Sequence, residues 1–210
     1  MPRAKKSQVP FPFGFPNKPH CRIHGPRGHK EYQAYKLWLR DEFEFRCVYC
    51  LTRERWSGDG PNRFSIDHVQ PKSLYPHLIC EYDNLVYACT TCNMLKSQTT
   101  GLPDPCQTSL EKHLRLKRNG EFEGRTPAGK RLIAYLRLNS AGRKDERTKK
   151  VYAYQTQARV RKDILQLEFG YPEDLPDLAK LKPPNGNTRP KGVYASHLAR
   201  KRRKELPLYY

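Results

Sequence analysis

Hydrophobic positions along the chain fall into short runs of differing period. Prolines at 2, 10, 12, 16, 19 and 26 break any pattern in residues 1–28, so this stretch is expected to be an extended arm. Residues 29–42 place Tyr32, Tyr35, Trp38 or Leu39, and Glu42 at helical spacing, which predicts an amphipathic helix. Phe43, Phe45 and Cys47 then alternate with polar residues and predict a short strand. A turn cluster at 57–62 leads into a second alternating run, Phe64 to Val69, and Leu85 to Ala88 is apolar throughout; both are expected as strands. A short helix is expected from Asn93 to Ser97, stopped by Gly101 and Pro103.

In the second half, residues 107–118 read as a basic helix, although Asn119-Gly120 at the centre of 115–125 also suits a hairpin turn. Residues 127–139 and 144–169 read as helices, the second with Val151, Tyr154, Ala158, Leu165 and Phe169 on one stripe. Its aromatics, Tyr152 and Tyr154, are expected in the core rather than as platforms for nucleobases. Prolines and glycines punctuate 171–192 as a linker, and the basic run Arg200 to Lys204 follows. The expected organisation is an arm (1–28), a lead-in helix and strand (29–46), a central unit (47–103), a basic helical extension (104–170) and a Pro-rich linker with a basic tail (171–210).

Composition sharpens this picture. Only 37% of the 210 residues are hydrophobic, below the roughly 45–50% usual for globular domains, so only part of the chain is expected to build a core. Lys plus Arg is 40 against 21 Asp plus Glu, a net +19 that points to a polyanionic partner, nucleic acid first. The charge is uneven: residues 1–46 carry +6, 47–106 carry −1, 107–170 carry +9 and 171–210 carry +5. If the near-neutral middle does chemistry on a polyanion, its flanks supply the attraction. No run of apolar residues is long enough to span a membrane, and no secretory signal is evident, so a soluble, intracellular protein is expected, without a membrane partner.

Cysteine usage agrees with a reducing compartment. Cys47-x-x-Cys50 and Cys89-x-x-Cys92 are two knuckles, each able to present two thiolates from one tight turn. Together they supply the closed four-sulfur set that zinc prefers in structural sites. A redox role would need one such pair and leaves the second unexplained. His20, Cys21, His24 and His29 match no trusted spacing for a second metal site and are expected to be unliganded, while Cys80 and Cys106 read as buried or free thiols.

Between the knuckles lie Ile66-Asp67-His68-Val69-Gln70-Pro71-Lys72-Ser73, then Asp83-Asn84-Leu85-Val86, then Cys89-Thr90-Thr91-Cys92-Asn93-Met94-Leu95-Lys96. This series, over about residues 46–100, resembles the HNH (His-Asn-His) endonucleases, in the branch stapled by four cysteines. The resemblance implies an α+β fold: a ββα-metal core, of the His-Me finger kind, with a structural zinc, flanked by helices and basic extended tails. It implies that His68 is the general base, Asn84 orients it, and Asp67 and Asn93 hold a catalytic metal. Lys96, one helical turn beyond Asn93, is the candidate for holding a phosphate. One charged and one neutral oxygen are hard ligands that favour Mg²⁺ or Mn²⁺ over zinc.

Two departures stand out. Adjacent strand residues point to opposite faces, so a regular strand cannot present Asp67 and His68 together, and a bend or strand end is implied. Members of the family often carry a Gly-rich loop after the Pro-Lys-Ser segment, where this chain has Leu74-Tyr75-Pro76-His77-Leu78-Ile79-Cys80. A weaker resemblance, in residues 104–147, is to the extension that follows the HNH unit in some bacterial members; it includes His113, Gly129 and Arg147. The expected activity is hydrolysis of DNA phosphodiester bonds, by nicking or, through a homodimer or larger nucleoprotein complex, by double-strand cleavage. RNA stays open as a substrate, and a non-catalytic zinc-stabilised nucleic-acid-binding module is the competing class.

Overall fold

The computed structural model describes residues 14–157 and 161–210, so the start of the arm and Ala158 lie outside the described residues. A tight helical turn over 32–35 runs into helix α1 (Lys36–Glu42). The expected helix is thus present but starts later, because residues 29–31 adopt no helical conformation. Strands β1 (Phe64–His68) and β2 (Leu85–Cys89) pair antiparallel, with Phe64 opposite Cys89, Asp67 opposite Val86 and His68 opposite Leu85. Helix α2 (Thr90–Lys96) follows β2 without an intervening loop. The two runs that alternate or stay apolar in the sequence are therefore the strands, and the helix starts three residues earlier than expected.

Beyond this unit come a small hairpin, β3 (Leu114–Leu116) with β4 (Phe122–Gly124), and helices α3 (Pro127–Tyr135), α4 (Ala141–Gln157), α5 (Lys162–Phe169), α6 (Lys191–Ala195) and α7 (His197–Arg202). Three sequence expectations are corrected here. Residues 43–47 form no strand, because Glu44 and Phe45 sit in the left-handed region (φ 55° and 56°) and turn the chain out of α1. Residues 107–118 are not a helix; the hairpin alternative holds, with Gly120 at φ 75° closing the turn that Asn119-Gly120 announces. The 144–169 helix is split into α4 and α5; its stripe residues Val151, Tyr154, Leu165 and Phe169 are all buried, whereas Tyr152, expected in the core, is 67% exposed.

The main core gathers Tyr35, Trp38 and Leu39 of the first helical segment against Phe64, Leu85, Val86 and Tyr87 of the sheet. A second cluster, Val151, Tyr154, Leu165 and Phe169, joins α4 to α5. A two-stranded sheet is marginal by itself, so the packing of α1 and α2 against both strands is what makes it persist.

Three consecutive charged residues of α1 are buried, and each closes a different part of the chain. Arg40 makes a two-pronged pair with Glu54 (both 2.9 Å) and reaches Asp174. Asp41 accepts hydrogen bonds from His24 Nε2 at 2.8 Å and from His197 Nδ1 and backbone N at 3.0 and 2.9 Å. Glu42 accepts from His20 Nε2, the amides of Ile23 and His24, and the Tyr82 hydroxyl. The described part of the Pro-rich arm is irregular, yet it is held down by these contacts, and residues 25–27 bond to 185–188. The 171–192 stretch is likewise short of regular structure while burying Leu175 and Leu178.

Burial works to raise the Asp41 pKa, but the His197 and His24 hydrogen bonds outweigh it and hold the carboxyl down to about 2. A depressed acid stabilises the fold fully above its unfolded value of about 3.9, and that contribution disappears as pH falls through the folded value. Asp41→Asn should lower unfolding free energy at pH 7 by about 3 kcal/mol, since two histidines lose a buried carboxylate. Urea titrations at pH 7 and between pH 4 and 2 check this: the variant's deficit should shrink toward pH 2.

Candidate functional site

The four sulfurs of Cys47, Cys50, Cys89 and Cys92 lie within 4.8 Å of one another. Cys50 and Cys89 are 3.7 Å apart, close to the roughly 3.8 Å edge of a tetrahedron whose centre lies about 2.3 Å from each sulfur. The first knuckle turns through Leu51 at φ 61°, with the Leu51 amide bonded to the Cys47 carbonyl. The second caps α2: the Cys92 amide donates to Cys89 Sγ at 3.4 Å. Val48 N bonds to Tyr87 O, which ties the first knuckle to β2. Burial among the other three sulfurs pushes the Cys47 thiol well above its usual range, so metal uptake displaces protons from this cluster. Arg143, from α4, donates to Cys92 Sγ at 3.0 Å and brings a fixed positive charge to thiolates that a bound divalent metal leaves with net negative charge. The donor set fits zinc.

β1 carries Asp67 and His68, and the strand's alternation separates them. Asp67 is buried toward α2, where Oδ1 lies 3.2 Å from Lys96 Nζ and Oδ2 accepts from the Tyr49 hydroxyl at 2.6 Å. Lys96 is only 2% exposed and also donates to the His68 carbonyl at 2.6 Å. The structure thus places Lys96 as the counter-ion of Asp67 and not at the surface. Burial raises the Asp67 pKa, against the opposing pull of Lys96 and Tyr49.

Asn93, on the same face of α2, donates Nδ2 to Ser65 Oγ at 2.8 Å and to the Ile66 carbonyl at 3.2 Å. That orientation leaves its Oδ1 as a free acceptor. Asp67 and Asn93 therefore present hard oxygen donors on adjoining elements, and each Asp67 oxygen keeps a second lone pair. The donor chemistry fits Mg²⁺ or Mn²⁺, and the Lys96 ammonium lies beside Asp67.

His68 ends β1 on the opposite face. Its Nε2 donates to the Ile79 carbonyl at 3.1 Å, which fixes the tautomer and leaves Nδ1 as the basic nitrogen. Tyr32 packs edge-on to the imidazole, with ring centres 4.7 Å apart. Burial lowers the His68 pKa, so the neutral form dominates at pH 7. Asn84 makes no hydrogen bond to His68. It pins the loop that does: Oδ1 accepts from Gln70 N at 2.8 Å, and Nδ2 donates to the carbonyls of Gln70 and Leu78. Leu78 precedes Ile79, so the carbonyl held by Asn84 is one residue before the carbonyl that faces His68.

Sequence reasoning missed Tyr49, Tyr32, Arg143 and the Ile79 carbonyl. Tyr49 lies inside the first knuckle, and an aromatic hydroxyl between two cysteines was its only signal. Arg143 and Tyr32 lie far along the chain from their partners, and a backbone carbonyl leaves no trace in a sequence. The four histidine and cysteine positions near the N-terminus divide: His20 and His24 bond Glu42 and Asp41, His29 packs on Tyr35, and Cys21 is exposed. Cys80 and Cys106 are half-buried thiols.

Residues 47–99 match the sequence model of the family described as HNH endonuclease, and this stretch contains both knuckles and all the polar site residues on β1, β2 and α2. The chain is also 28% identical over 112 residues to the Septu protein PtuB of Bacillus thuringiensis, a match that covers 51% of this chain. It spans 42% of the length of that relative. Among the described residues, no helix is long and apolar enough to cross a membrane.

The purified protein should hold one zinc ion per chain in the cysteine cluster. Zinc-edge X-ray absorption should give four sulfur neighbours at about 2.3 Å; nitrogen or oxygen neighbours would place the metal elsewhere.

Proposed function

We propose that this protein is a metal-dependent endonuclease that hydrolyses DNA phosphodiester bonds, with β1, β2 and α2 as a ββα-metal core. The observation that carries the reading is the His68–Ile79 hydrogen bond, which commits Nε2 as donor and leaves Nδ1 to take a proton. The match of residues 47–99 supports it.

His68 Nδ1 removes the proton from an attacking water, and the loop pinned by Asn84 holds the Ile79 carbonyl that keeps the ring in place as it becomes charged. The carbonyl of Ile79 then faces an imidazolium N–H and stabilises it. Asp67 and Asn93 would hold the Mg²⁺ or Mn²⁺, which when bound neutralises charge on the phosphate and on the 3′-oxygen as it leaves. A zinc ion held by Cys47, Cys50, Cys89 and Cys92 would serve the fold rather than the chemistry. His68 is the last residue of β1, so the phosphate would approach at that end of the strand. Lys96, paired with Asp67, would supply a positive charge beside the bound phosphate.

One such site serves one strand, so nicking is the minimal activity, giving 5′-phosphate and 3′-hydroxyl ends. A double-strand cut needs a dimer or a second encounter. The flanks, +6 and +9, supply the attraction to DNA that the near-neutral centre does not. A reducing, intracellular setting suits the thiol cluster. The buried Lys96–Asp67 pair is also what a non-catalytic DNA-binding module would display, and cleavage separates the two.

Supercoiled plasmid should be nicked with Mg²⁺ or Mn²⁺ and not after their removal, with zinc retained. His68→Ala should lose about 10²–10⁴ of the rate while zinc content and DNA binding persist. Metal-independent nicking, or an active His68→Ala, contradicts the mechanism. Because the base works in its neutral form and burial lowers its pKa, the acid limb of the rate profile should lie below the ordinary histidine value of about 6.5. A rate still rising steeply at pH 8 would point to a different base.

A further inference from the structure

The loop joining β1 to β2 has a surface that the chemistry above does not use. Leu74 is 57% exposed and Tyr75 37% exposed, side by side in sequence, with His77 exposed just beyond. Other large exposed apolar side chains among the described residues, such as Met94, Tyr135 and Tyr152, have no such neighbour in sequence. Single exposed apolar residues are ordinary, but an adjacent pair beside a candidate site calls for an occupant.

The pair is also held still. The Pro71 carbonyl accepts from the amides of both Leu74 and Tyr75 at 3.0 and 2.9 Å, and Leu78 N bonds back to the Tyr75 carbonyl. Asn84 fixes the loop at both ends, at Gln70 and Leu78. Its exit at Leu78 leads directly into Ile79, whose carbonyl orients His68, so the apolar tip and the imidazole share one rigid support.

Charge narrows the occupant. No acidic residue occurs from Val69 to Cys80, and Lys72 is exposed, with its ammonium 5.4 Å from the Tyr32 ring that packs on His68. An apolar protein partner would find no reason for that cation, whereas a polyanion with flat apolar faces inside it would use both. Proteins that enter a duplex do so with apolar wedges that part neighbouring bases, and phosphates flank every such step. The absence of a Gly-rich segment fits: a glycine loop would have no side chain to insert.

We propose that Leu74 and Tyr75 form a wedge that inserts between stacked bases of duplex DNA beside the phosphate presented to His68, with Lys72 on the flanking phosphate. This rests on the endonuclease reading and adds that the enzyme distorts its duplex before cutting it. Inserting the tip would bring the strand's phosphate down toward His68, the last residue of β1.

The test uses full-length protein carrying His68→Ala, so that DNA stays intact, and duplexes with 2-aminopurine placed at successive positions. Binding should raise 2-aminopurine fluorescence severalfold at one or two neighbouring positions. Adding Leu74→Ala and Tyr75→Ala should abolish that rise and weaken binding about tenfold, with zinc content and circular dichroism unchanged. The salt dependence of binding should stay the same in that variant and should become shallower in Lys72→Gln, since only the latter removes a phosphate contact. Tyr75→Phe should keep the fluorescence rise. If the parent binds duplex but shows no rise at any position, or if the double variant matches the parent, the wedge is overturned and the endonuclease reading stands. If the parent binds no duplex at all, the endonuclease reading itself fails, and the wedge with it.

Discussion

The meeting of two cysteine knuckles at the junction of β2 and α2 is the constraint on which the rest depends. A chain with 37% hydrophobic residues cannot lean on a large core, and its central sheet has only two strands. The thiol cluster fixes where β2 stops and α2 starts, because Cys89 is both the last strand residue and the cap of the helix. Asn93 and Lys96 lie on the turn that follows, so their placement over Ser65 and Asp67 is set by that junction. The cluster is tied outward as well, since Arg143 bonds Cys92 and the buried Arg147, one turn further along α4, bonds the carbonyls of Gly120 and Leu138. The basic extension is thereby registered on the site it is expected to serve.

A second layer of order comes from buried charge. Arg40, Asp41 and Glu42 each sacrifice hydration, and each recovers it through several partners far away in sequence. Buried ions of this kind add little net stability over apolar packing, but a partner left alone is costly, so they discriminate against wrong arrangements. Here they select one docking of the N-terminal segment and of α7 against α1. The consequence reaches the site, because Glu42 also holds the Tyr82 hydroxyl, and Tyr82 begins the short turn that ends in Asn84.

The features legible in the sequence were those with a local signature. Alternation gave β1, an apolar run gave β2, and the two Cys-x-x-Cys pairs announced their cluster. The Asn119-Gly120 turn was visible, yet the basic composition of 107–118 also read as helix; only packing of α3 on the hairpin, with Gly129 close against the His113 carbonyl, decides between them. The left-handed pair Glu44-Phe45 carries no glycine to betray it, so alternation there looked like a strand. At the site, residue identities were readable and their partners were not. Nothing in the spacing of Asp67 and Lys96 says that they pair in the interior, and the carbonyl that orients His68 belongs to a residue whose side chain is irrelevant to the job.

A chain of supports runs from the cysteine cluster, through the sheet and the Asn84-pinned loop, to one imidazole nitrogen. Nitrogen-15 NMR of the His68 ring, recorded in the zinc-loaded protein and after zinc is chelated, examines that chain directly. The loaded protein at pH 7 should show a single neutral tautomer, with the proton on Nε2 and an unprotonated Nδ1, and chelation should return the ring to the averaged signals of free imidazole. A proton on Nδ1 in the loaded protein, or a tautomer indifferent to loss of the metal, would contradict it.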